Sequence, residues 1–174
     1  MARNFMCTKT DPVVETKAGK LRGFQLDGTY AFHGVKYADA KRFHQPTPVE
    51  PWEGIKNALA YGYVCPMLQQ DQPSNELMVP HRYWPLDENC QYLNIWTQHL
   101  DPNAKKPVLV WLHGGGFAAG SSIEHIAYEG ENMSKYGDVV VISLNHRLNI
   151  LGYLDLSPFG EEYKNSGNAG NADM

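Results

Sequence analysis

The sequence predicts an α/β fold in which a small antiparallel β meander is followed by the first strands of a central mixed sheet. Short alternating runs broken by glycine near the amino terminus indicate the meander. Two apolar runs, at residues 108–112 and 138–144, are separated by a segment of helical length. Strand, helix and strand in this order are typical of a βαβ unit. The chain of 174 residues is compatible with one domain.

The meander is predicted from three runs near the amino terminus, at residues 13–16, 20–26 and 30–33. Asp27 and Gly28 separate the last two runs and indicate a tight turn, because glycine accepts the positive φ angle that such turns require. Short strands joined by a tight turn are expected to pair with one another in antiparallel fashion.

Residues 38–88 are rich in proline, glutamine, asparagine and tyrosine and show little periodicity. Such a segment predicts a long surface excursion. We expect one short helix within it, near residues 52–60.

The central sheet is predicted from residues 92–96, 108–112 and 138–144, which are rich in β-branched and aromatic residues. The run at 108–112 is continuously apolar, which is typical of a strand covered on both faces. Residues 123–136 are long enough for the connecting helix. Ser121 and Ser122 precede this segment, so we interpret them as helix caps.

Composition and charge exclude several classes of partner. The formal net charge is −4, and both signs are scattered along the chain without a basic run, so nucleic acid is not an expected partner. Residues 1–12 hold no apolar block, and no stretch is apolar for the roughly 20 residues of a membrane span. A cytoplasmic protein without membrane contact is therefore expected, and the oligomeric state stays open. Cys7, Cys65 and Cys90 have no zinc-type spacing and are expected to be reduced thiols.

The motif that carries chemistry is His113-Gly114-Gly115-Gly116-Phe117, which directly follows the apolar run. Successive glycines at the carboxyl end of a central strand leave backbone N–H groups unshielded by any Cβ. Such groups stabilise the oxyanion of an acyl-transfer intermediate. The sequence therefore predicts an oxyanion hole, with no cofactor. His113 is expected to anchor the loop through a bond from its ring to the backbone.

Two other interpretations of this loop stay open. A glycine-rich loop also binds phosphate, but neither a Gly-Lys-Ser/Thr ending nor a Gly-x-Gly-x-x-Gly pattern is present. A plain tight turn is the remaining alternative. A metal site built from His113, His125 and His146 is not expected, because their spacings do not place two ligands on one helix face.

The chain resembles the type-B carboxylesterases and cholinesterase-like proteins of the α/β-hydrolase class. Segments similar to family motifs follow one another in the family's order. They are Gly34-Val35-Lys36-Tyr37-Ala38, Arg42-Phe43, Trp52-Glu53-Gly54, Cys65-Pro66, Glu88-Asn89-Cys90-Gln91-Tyr92-Leu93-Asn94-Ile95, residues 107–117, residues 137–140, Asn145-His146-Arg147-Leu148 and residues 167–173.

The resemblance implies a carboxylic ester hydrolase that acts through a serine acyl-enzyme on small-molecule esters. It implies that the N–H groups of Gly115 and Gly116 are two of three oxyanion donors, and that Gly114 and Phe117 contact the substrate. Arg42 is implied to pair with Glu88 in a structural role. Cys65 and Cys90 match a disulfide of the secreted members of the family.

Three residues depart from the family's pattern. Lys36 replaces a proline, Asn89 replaces an aspartate, and His146 stands where tyrosine is usual. The larger departure is that no Gly-x-Ser-x-Gly elbow occurs. We therefore expect residues 1–174 to be a partial α/β-hydrolase domain that is truncated before the nucleophile, with the triad downstream of Met174. The chain alone is expected to be inactive.

Two further hypotheses come from other functional classes. The chain could be a non-catalytic cholinesterase-like binding module, although relatives of that kind are exported. It could also be a truncated product without independent function. In that case an unpaired sheet edge would favour aggregation.

Overall fold

The computed structural model describes residues 3–67 and 81–174. Short strands dominate the first described range and longer strands the second. The strands are β1 (Phe5–Met6), β2 (Val13–Glu15), β3 (Lys20–Arg22), β4 (Phe24–Leu26), β5 (Thr29–Lys36), β6 (Ala38–Asp39), β7 (Thr47–Pro48), β8 (Ile55–Asn57), β9 (Tyr92–Thr97), β10 (Val108–Leu112) and β11 (Val140–Leu144). The α-helices are α1 (Glu131–Gly137), α2 (Asn149–Tyr153) and α3 (Ala169–Asp173).

The largest sheet has six strands in the order β1-β4-β5-β9-β11-β10. β10 and β11 are parallel, and each of the other neighbouring pairs is antiparallel. The sheet is therefore mixed, as predicted. Because α1 lies between β10 and β11 in the chain, these three elements form the predicted βαβ unit.

The amino-terminal runs form antiparallel strand pairs as predicted, β2 with β3 and β4 with β5, but the two pairs belong to different sheets. β4 and β5 are joined by the predicted turn, in which Asp27 and Gly28 have φ angles of 49° and 89°. β2 and β3 instead belong to a separate sheet with β8. The division occurs at Gly23, where a Cβ would lie 2.3 Å from the carbonyl oxygen of Ala31. Only glycine allows the backbone to pass from one sheet to the other so close to β5.

The helix predicted near residues 52–60 is also wrong, because the segment contains the extended strand β8, which runs parallel to β3. Trp52 explains the difference. Its indole ring covers Gly19, and its Nε1 donates a hydrogen bond of 3.1 Å to the carbonyl oxygen of Lys20. The side chain thus ties the segment to β3 and overrides its local preference. Part of the predicted excursion, residues 68–80, lies outside the described residues.

The helix predicted over residues 123–136 is shorter than expected. A 3₁₀ turn at Ile126–Tyr128 precedes α1. Gly130 separates the two, and a Cβ there would lie 2.6 Å from Val141 on β11. The chain must therefore pass close to the sheet before α1 begins.

Ser121 and Ser122 do not cap a helix, so that interpretation is wrong. Both residues are buried. The Ser122 hydroxyl accepts a hydrogen bond of 3.3 Å from Nδ2 of Asn94, and Ser121 Oγ accepts one of 3.4 Å from the Ile123 amide. The two hydroxyls thus satisfy groups in the interior rather than at a helix end.

β10 forms one margin of the six-stranded sheet, and its side chains are exposed. The exposed fractions are 57% for Val108, 51% for Val110, 42% for Trp111 and 48% for Leu112. The prediction of a strand covered on both faces is therefore wrong for the described chain. The reason is that the face with Val108, Val110 and Leu112 is left uncovered by the described residues, whereas Leu109 on the other face packs against the core. In addition, no other strand of the described residues pairs with the outer edge of β10.

The interior of the sheet is built around Trp96 of β9, which packs with Ala31 of β5 and Val141 of β11. Cross-strand contacts of this kind fix the register of the three central strands. Among the described residues, none of the helices has the length and apolar character needed to cross a membrane.

Candidate active site

The glycine loop follows β10 at the carboxyl end of the parallel pair. Gly115 and Gly116 have φ angles of 124° and 62°, a region that disfavours residues with a Cβ. The amides of Ala118 and Ala119 both donate to the carbonyl oxygen of Gly115, at 3.1 and 3.2 Å. A Cβ on Gly115 would lie 1.9 Å from the Ala119 carbonyl oxygen. The turn therefore requires glycine at position 115.

The amides of Gly115 and Gly116 are not consumed by this turn. Within the part of the chain that the structure describes, neither N–H has a backbone or side-chain acceptor, whereas the nearby Phe117 carbonyl accepts from the Asn149 amide at 2.7 Å. The loop borders a cavity of about 360 Å³. The cavity is lined by Leu112, His113, Gly114, Gly116, Phe117, His146, Leu148, Asn171 and Met174.

His113 lies beneath the loop with an exposed fraction of 9%. Because a carbonyl oxygen can only accept, ring Nδ1 carries the proton that is donated to Gly114 O at 2.8 Å. The ring stacks on His146, with centroids 4.9 Å apart and planes 17° from parallel. A Cβ on Gly120 would lie 2.8 Å from His113 Nδ1. The ring is thus enclosed by the turn on one side and by His146 on another.

Burial keeps both imidazoles neutral. It lowers the pKa of His113 to about 4, and the nearby His146 adds to this effect. Burial also lowers the pKa of His146, whose Nδ1 donates to the Arg147 carbonyl oxygen at 3.1 Å. A neutral His113 keeps a charge away from the place where the glycine amides would meet an anion.

The ion pair of Arg147 and Asp173 is the most buried charged group near the loop, with side chains 2% and 0% exposed. The two side chains make a bidentate contact, with distances of 2.8 Å from Nε and 2.7 Å from Nη2. Asp173 also accepts from the Arg147 amide at 2.9 Å and from Gln91 Nε2 at 3.2 Å. Arg147 Nη1 donates to the carbonyl oxygen of His44 at 2.7 Å. This pair ties α3 and the excursion to the end of β11.

Asn145 joins the loop region to the sheet. Its Oδ1 accepts from the Ser122 amide at 2.8 Å, and its Nδ2 donates to the Tyr63 carbonyl oxygen at 3.1 Å. The hydroxyl of Tyr37 donates to the carbonyl oxygen of Asn145 at 2.8 Å. No role was predicted from the sequence for Asn145, Arg147 or Asp173. The similarity of residues 145–148 to a family turn was the signal that could have identified the first two.

Arg42 and Glu88 form an ion pair at the surface, away from the glycine loop. Arg42 Nε lies 2.7 Å from Glu88 Oε2, and Nη2 contacts Oε1. The side chains are 63% and 33% exposed. Water therefore screens the pair, and it holds two ends of the excursion together without touching the cavity at the loop.

Cys65 and Cys90 are free thiols that are packed together with Leu148 in the interior. The Cys65 sulfur accepts from the Leu148 amide at 3.2 Å. A hydrogen bond with Cys90 lowers the pKa of Cys65, and the same contact together with burial raises the pKa of Cys90.

The three histidines considered as metal ligands do not converge. His113 stacks on His146, whereas His125 contacts His81, at 4.4 Å between ring centroids. No group of three potential ligands is found among residues 3–67 and 81–174.

Comparison with known proteins identifies the family of this chain. The model of the carboxylesterase family matches residues 10–174. The chain belongs to the carboxylesterase family. The fold is accordingly that of the α/β-hydrolase carboxylesterases. A solved esterase from Clostridium hathewayi, described as able to hydrolyse aliphatic aromatic polyesters, is 66% identical over 99% of this chain, with a TM-score of 0.95.

Two curated carboxylesterase relatives are more distant. Para-nitrobenzyl esterase of Bacillus subtilis is 37% identical over 162 residues, which cover 90% of this chain. Phenmedipham hydrolase of Pseudarthrobacter oxydans is 40% identical over 150 residues, or 83% of this chain. The matches cover 32% and 30% of those proteins and 34% of the Clostridium hathewayi chain. This chain thus spans about a third of the length of its relatives.

Proposed function

We propose that this chain supplies the oxyanion hole of a carboxylic ester hydrolase of the serine acyl-enzyme type. The N–H groups of Gly115 and Gly116 donate to the oxyanion, while Gly114 and Phe117 contact the substrate. The observation that carries the proposal is the glycine turn itself. The Gly115 carbonyl oxygen accepts hydrogen bonds from two amides of the turn, whereas the amides of Gly115 and Gly116 have no acceptor among the described residues.

The nucleophile, acid and base of the proposed mechanism come from residues outside these 174. A serine hydroxyl attacks the ester carbonyl, a histidine takes its proton, and the carbonyl oxygen becomes the anion that the loop binds. The alcohol then leaves, and water hydrolyses the acyl-enzyme. His113 does not serve as the base in this scheme, because its Nδ1 proton is donated to Gly114 and its ring is enclosed.

The substrates proposed for the whole protein are small carboxylic esters. The names of two relatives refer to para-nitrobenzyl esters and to aliphatic aromatic polyesters, which contain an aromatic ring. We therefore include esters with an aromatic group in the proposed substrate class.

The test begins with the coding sequence downstream of codon 174, where a Gly-x-Ser-x-Gly elbow is expected within a short stretch. The 174-residue chain should not hydrolyse p-nitrophenyl acetate, whereas the product extended through the elbow and the remaining triad should. If the extended product contains no such serine and shows no turnover, the proposal is contradicted. Turnover by the 174 residues alone, above that of a Gly115→Pro variant, would contradict the assignment of the nucleophile.

The extended product also tests the loop. Gly115→Ala must displace the Ala119 carbonyl and distort the turn, so kcat should fall by about 10²- to 10³-fold. Gly137→Ala is the matched control, because Gly137 lies on α1 without a left-handed φ angle, and a Cβ there would meet only the side chain of Val139 at an ordinary 3.5 Å. It should keep most of the activity. Equal losses in the two variants would show that the shape of the turn at Gly115 is not what matters.

A further inference from the structure

The proposed oxyanion donors are not held in place by hydrogen bonds of their own. The amides of Gly115 and Gly116 have no acceptor among the described residues. The amides of Ala118 and Ala119 donate to the Gly115 carbonyl oxygen, and these bonds are internal to the loop. Internal bonds set the shape of the loop but not its position relative to the rest of the fold. The position therefore depends on how the far end of the loop, residues 117–120, is attached to its neighbours.

One attachment is at Phe117, whose carbonyl oxygen accepts a hydrogen bond of 2.7 Å from the Asn149 amide. Phe117 has a φ angle of 63°, in the left-handed region that residues with a Cβ disfavour. Its ring contacts that of Tyr153 on α2, with 5.2 Å between the centroids. A residue keeps an unfavourable φ angle only when its surroundings fix it. Asn149 and Tyr153 thus hold Phe117, and with it the loop, against α2.

The side chain of Asn149 makes two further hydrogen bonds. Its Nδ2 donates to the Pro66 carbonyl oxygen at 2.8 Å, and its Oδ1 accepts from the Leu151 amide at 3.3 Å. The φ angle of Asn149 is 50°, which glycine, asparagine and aspartate adopt most readily. Of these three residue types, only asparagine carries both the donor and the acceptor that this position uses. The side chain of Asn149 therefore does more than permit the backbone conformation.

The second attachment of the loop is to residues 65–67. The Met67 sulfur accepts a hydrogen bond of 3.3 Å from the Gly120 amide. The Cys65 sulfur accepts one of 3.2 Å from the Leu148 amide, next to the start of α2. Residues 65–67 therefore contact both the far end of the loop and the beginning of α2.

Asn149 joins the two attachments into a closed ring of contacts. The ring runs from Phe117 to Asn149, then to Pro66, and through Met67 back to Gly120. Sulfur is a weak acceptor, whereas the Asn149 side chain donates to a carbonyl oxygen at a shorter distance. The bond from Asn149 Nδ2 is therefore a stronger link between residues 65–67 and α2 than a contact to sulfur.

We propose that Asn149 is a positioning residue for the oxyanion hole. Its amide holds Phe117, and its side chain ties that contact to residues 65–67, so the glycine amides keep one position before a substrate binds. In this role Asn149 acts through Phe117 and the turn, and does not itself contact the reacting atoms. The proposal rests on the proposed function only for the identity of the group that the glycine amides bind. The attachment of the loop is tested without catalysis.

The first test is NMR-detected hydrogen exchange on the 174-residue chain. Asn149→Gly accepts the φ angle of 50° and keeps the backbone amide, but it lacks the side-chain bond to Pro66. The amides of Ala118 and Ala119 should exchange about fivefold faster in this variant, because the loop opens locally more often. The amides of β9 and β11 should keep their rates. This contrast separates a local loosening from a loss of global stability.

Two more variants assign the effect to the donor at position 149. Asn149→Asp tolerates the φ angle and keeps the acceptor for Leu151, but it places a carboxylate oxygen against the Pro66 carbonyl. It should accelerate exchange at least as much as Asn149→Gly. Asn103→Gly is the matched control, because Asn103 is exposed and lies before β10, at the opposite end of that strand from the glycine loop. Its rates at Ala118 and Ala119 should equal those of the wild type.

The second test uses the extended product and separates positioning from folding. Asn149→Gly should lower kcat for p-nitrophenyl acetate by roughly tenfold and leave KM nearly unchanged, because the oxyanion forms only in the transition state. Asn103→Gly should change neither constant. A rise in KM at constant kcat would contradict a role at the oxyanion.

Unchanged exchange at Ala118 and Ala119 in Asn149→Gly would overturn the proposal, as would equal effects of Asn149→Gly and Asn103→Gly. Faster exchange combined with an unchanged kcat would also contradict it, because the loop would then loosen without consequence for the reaction. A failure of the proposed function has a different result. An extended product that lacks both the elbow and turnover contradicts the esterase assignment, whereas the exchange difference still assigns Asn149 to the position of the loop.

Discussion

Two regions follow the neighbouring parallel strands β10 and β11: the glycine loop follows β10, and Arg147, which pairs with Asp173, follows β11. Polar groups are satisfied within the fold at the ion pair, whereas polar and apolar groups are left exposed at the glycine loop and on β10. The ion pair is fully enclosed, and its carboxylate accepts four hydrogen bonds, three from Arg147 and one from Gln91. The glycine loop has two amides without an acceptor among the described residues, and four of the five side chains of β10 are 42–57% exposed.

We interpret the ion pair as structural, and the glycine loop and β10 as surfaces for binding. A buried charge must be satisfied within the fold because an unpaired one costs several kcal/mol. Free amides and an exposed apolar strand persist only at a cost, so they indicate surfaces that bind something else. We expect the amides to bind a reacting oxygen and β10 to associate with further protein. The four predictions below test the two regions in order of effect.

The largest effect should come from Asp173→Ala, which leaves Arg147 buried without a counter-charge. The free energy of unfolding should fall by about 3–5 kcal/mol. Denaturant unfolding measures this loss. Glu161→Ala is the matched control, because the Glu161 side chain is 83% exposed and pairs only with Lys164 in the described chain. A similar small change in both variants would contradict the structural role of the ion pair.

The second effect is a pH dependence from His113, whose pKa falls from 6.5 to about 4 on burial. The unfolded chain binds more protons than the folded chain between these values, so stability should be constant above pH 6.5 and decrease as the pH falls towards 4. A fall in pKa from 6.5 to about 4 corresponds to a contribution of about 3 kcal/mol from His113. His113→Phe should reduce the slope of this limb without abolishing it, because burial also lowers the pKa of His33 to about 4. A variant of the exposed His99 should not reduce the slope. An unchanged limb in His113→Phe would contradict the buried, neutral state.

The third effect concerns the outer edge of β10. Val110→Lys places a charge on an exposed strand, which should reduce self-association strongly and change stability by less than about 0.5 kcal/mol. Sedimentation velocity at several concentrations measures the association. Ile126→Lys, at a position that is 67% exposed but outside the sheet, is the control. A wild-type chain that is monomeric with a sharp cooperative thermal transition would contradict the expectation that the outer edge of β10 associates with further protein.

The smallest effect should come from Glu88→Gln, which removes the charge that faces Arg42. Because the pair is exposed and screened by water, no resolvable change in the free energy of unfolding is expected. The same unfolding assay as for Asp173→Ala gives a direct contrast between a buried and an exposed ion pair. A loss comparable to that of Asp173→Ala would show that the solvent exposure of an ion pair does not predict its contribution to stability in this protein.

The sequence predicted the elements whose signals are local. β9, β10 and β11 were found from apolar runs, and the β4–β5 turn from Asp27 and Gly28, because in each case the residues that form the element also carry its signal. The glycine turn at residues 113–117 was predicted for the same reason. A run of glycines after a strand leaves few alternative structures.

The wrong predictions concern elements whose structure depends on contacts with residues far away in the sequence. Trp52 ties its segment to β3 as a strand, and Gly130 ends the turn that precedes α1 because it meets Val141. Neither contact can be inferred from periodicity. The burial of β10 was predicted wrongly, because an apolar run does not show which residues cover the faces of the strand. The partnership of Arg147 with Asp173 spans 26 residues and has no short motif.

Hydrogen exchange at the glycine loop tests the central claim most directly. The amides of Ala118 and Ala119 donate to Gly115, whereas those of Gly115 and Gly116 have no acceptor among the described residues. NMR-detected exchange should therefore show slowed exchange at the two alanines and nearly unprotected rates at the two glycines. Protection of the glycine amides equal to that of the alanine amides would show that the glycine amides donate hydrogen bonds within the fold. The oxyanion-hole assignment would then be wrong.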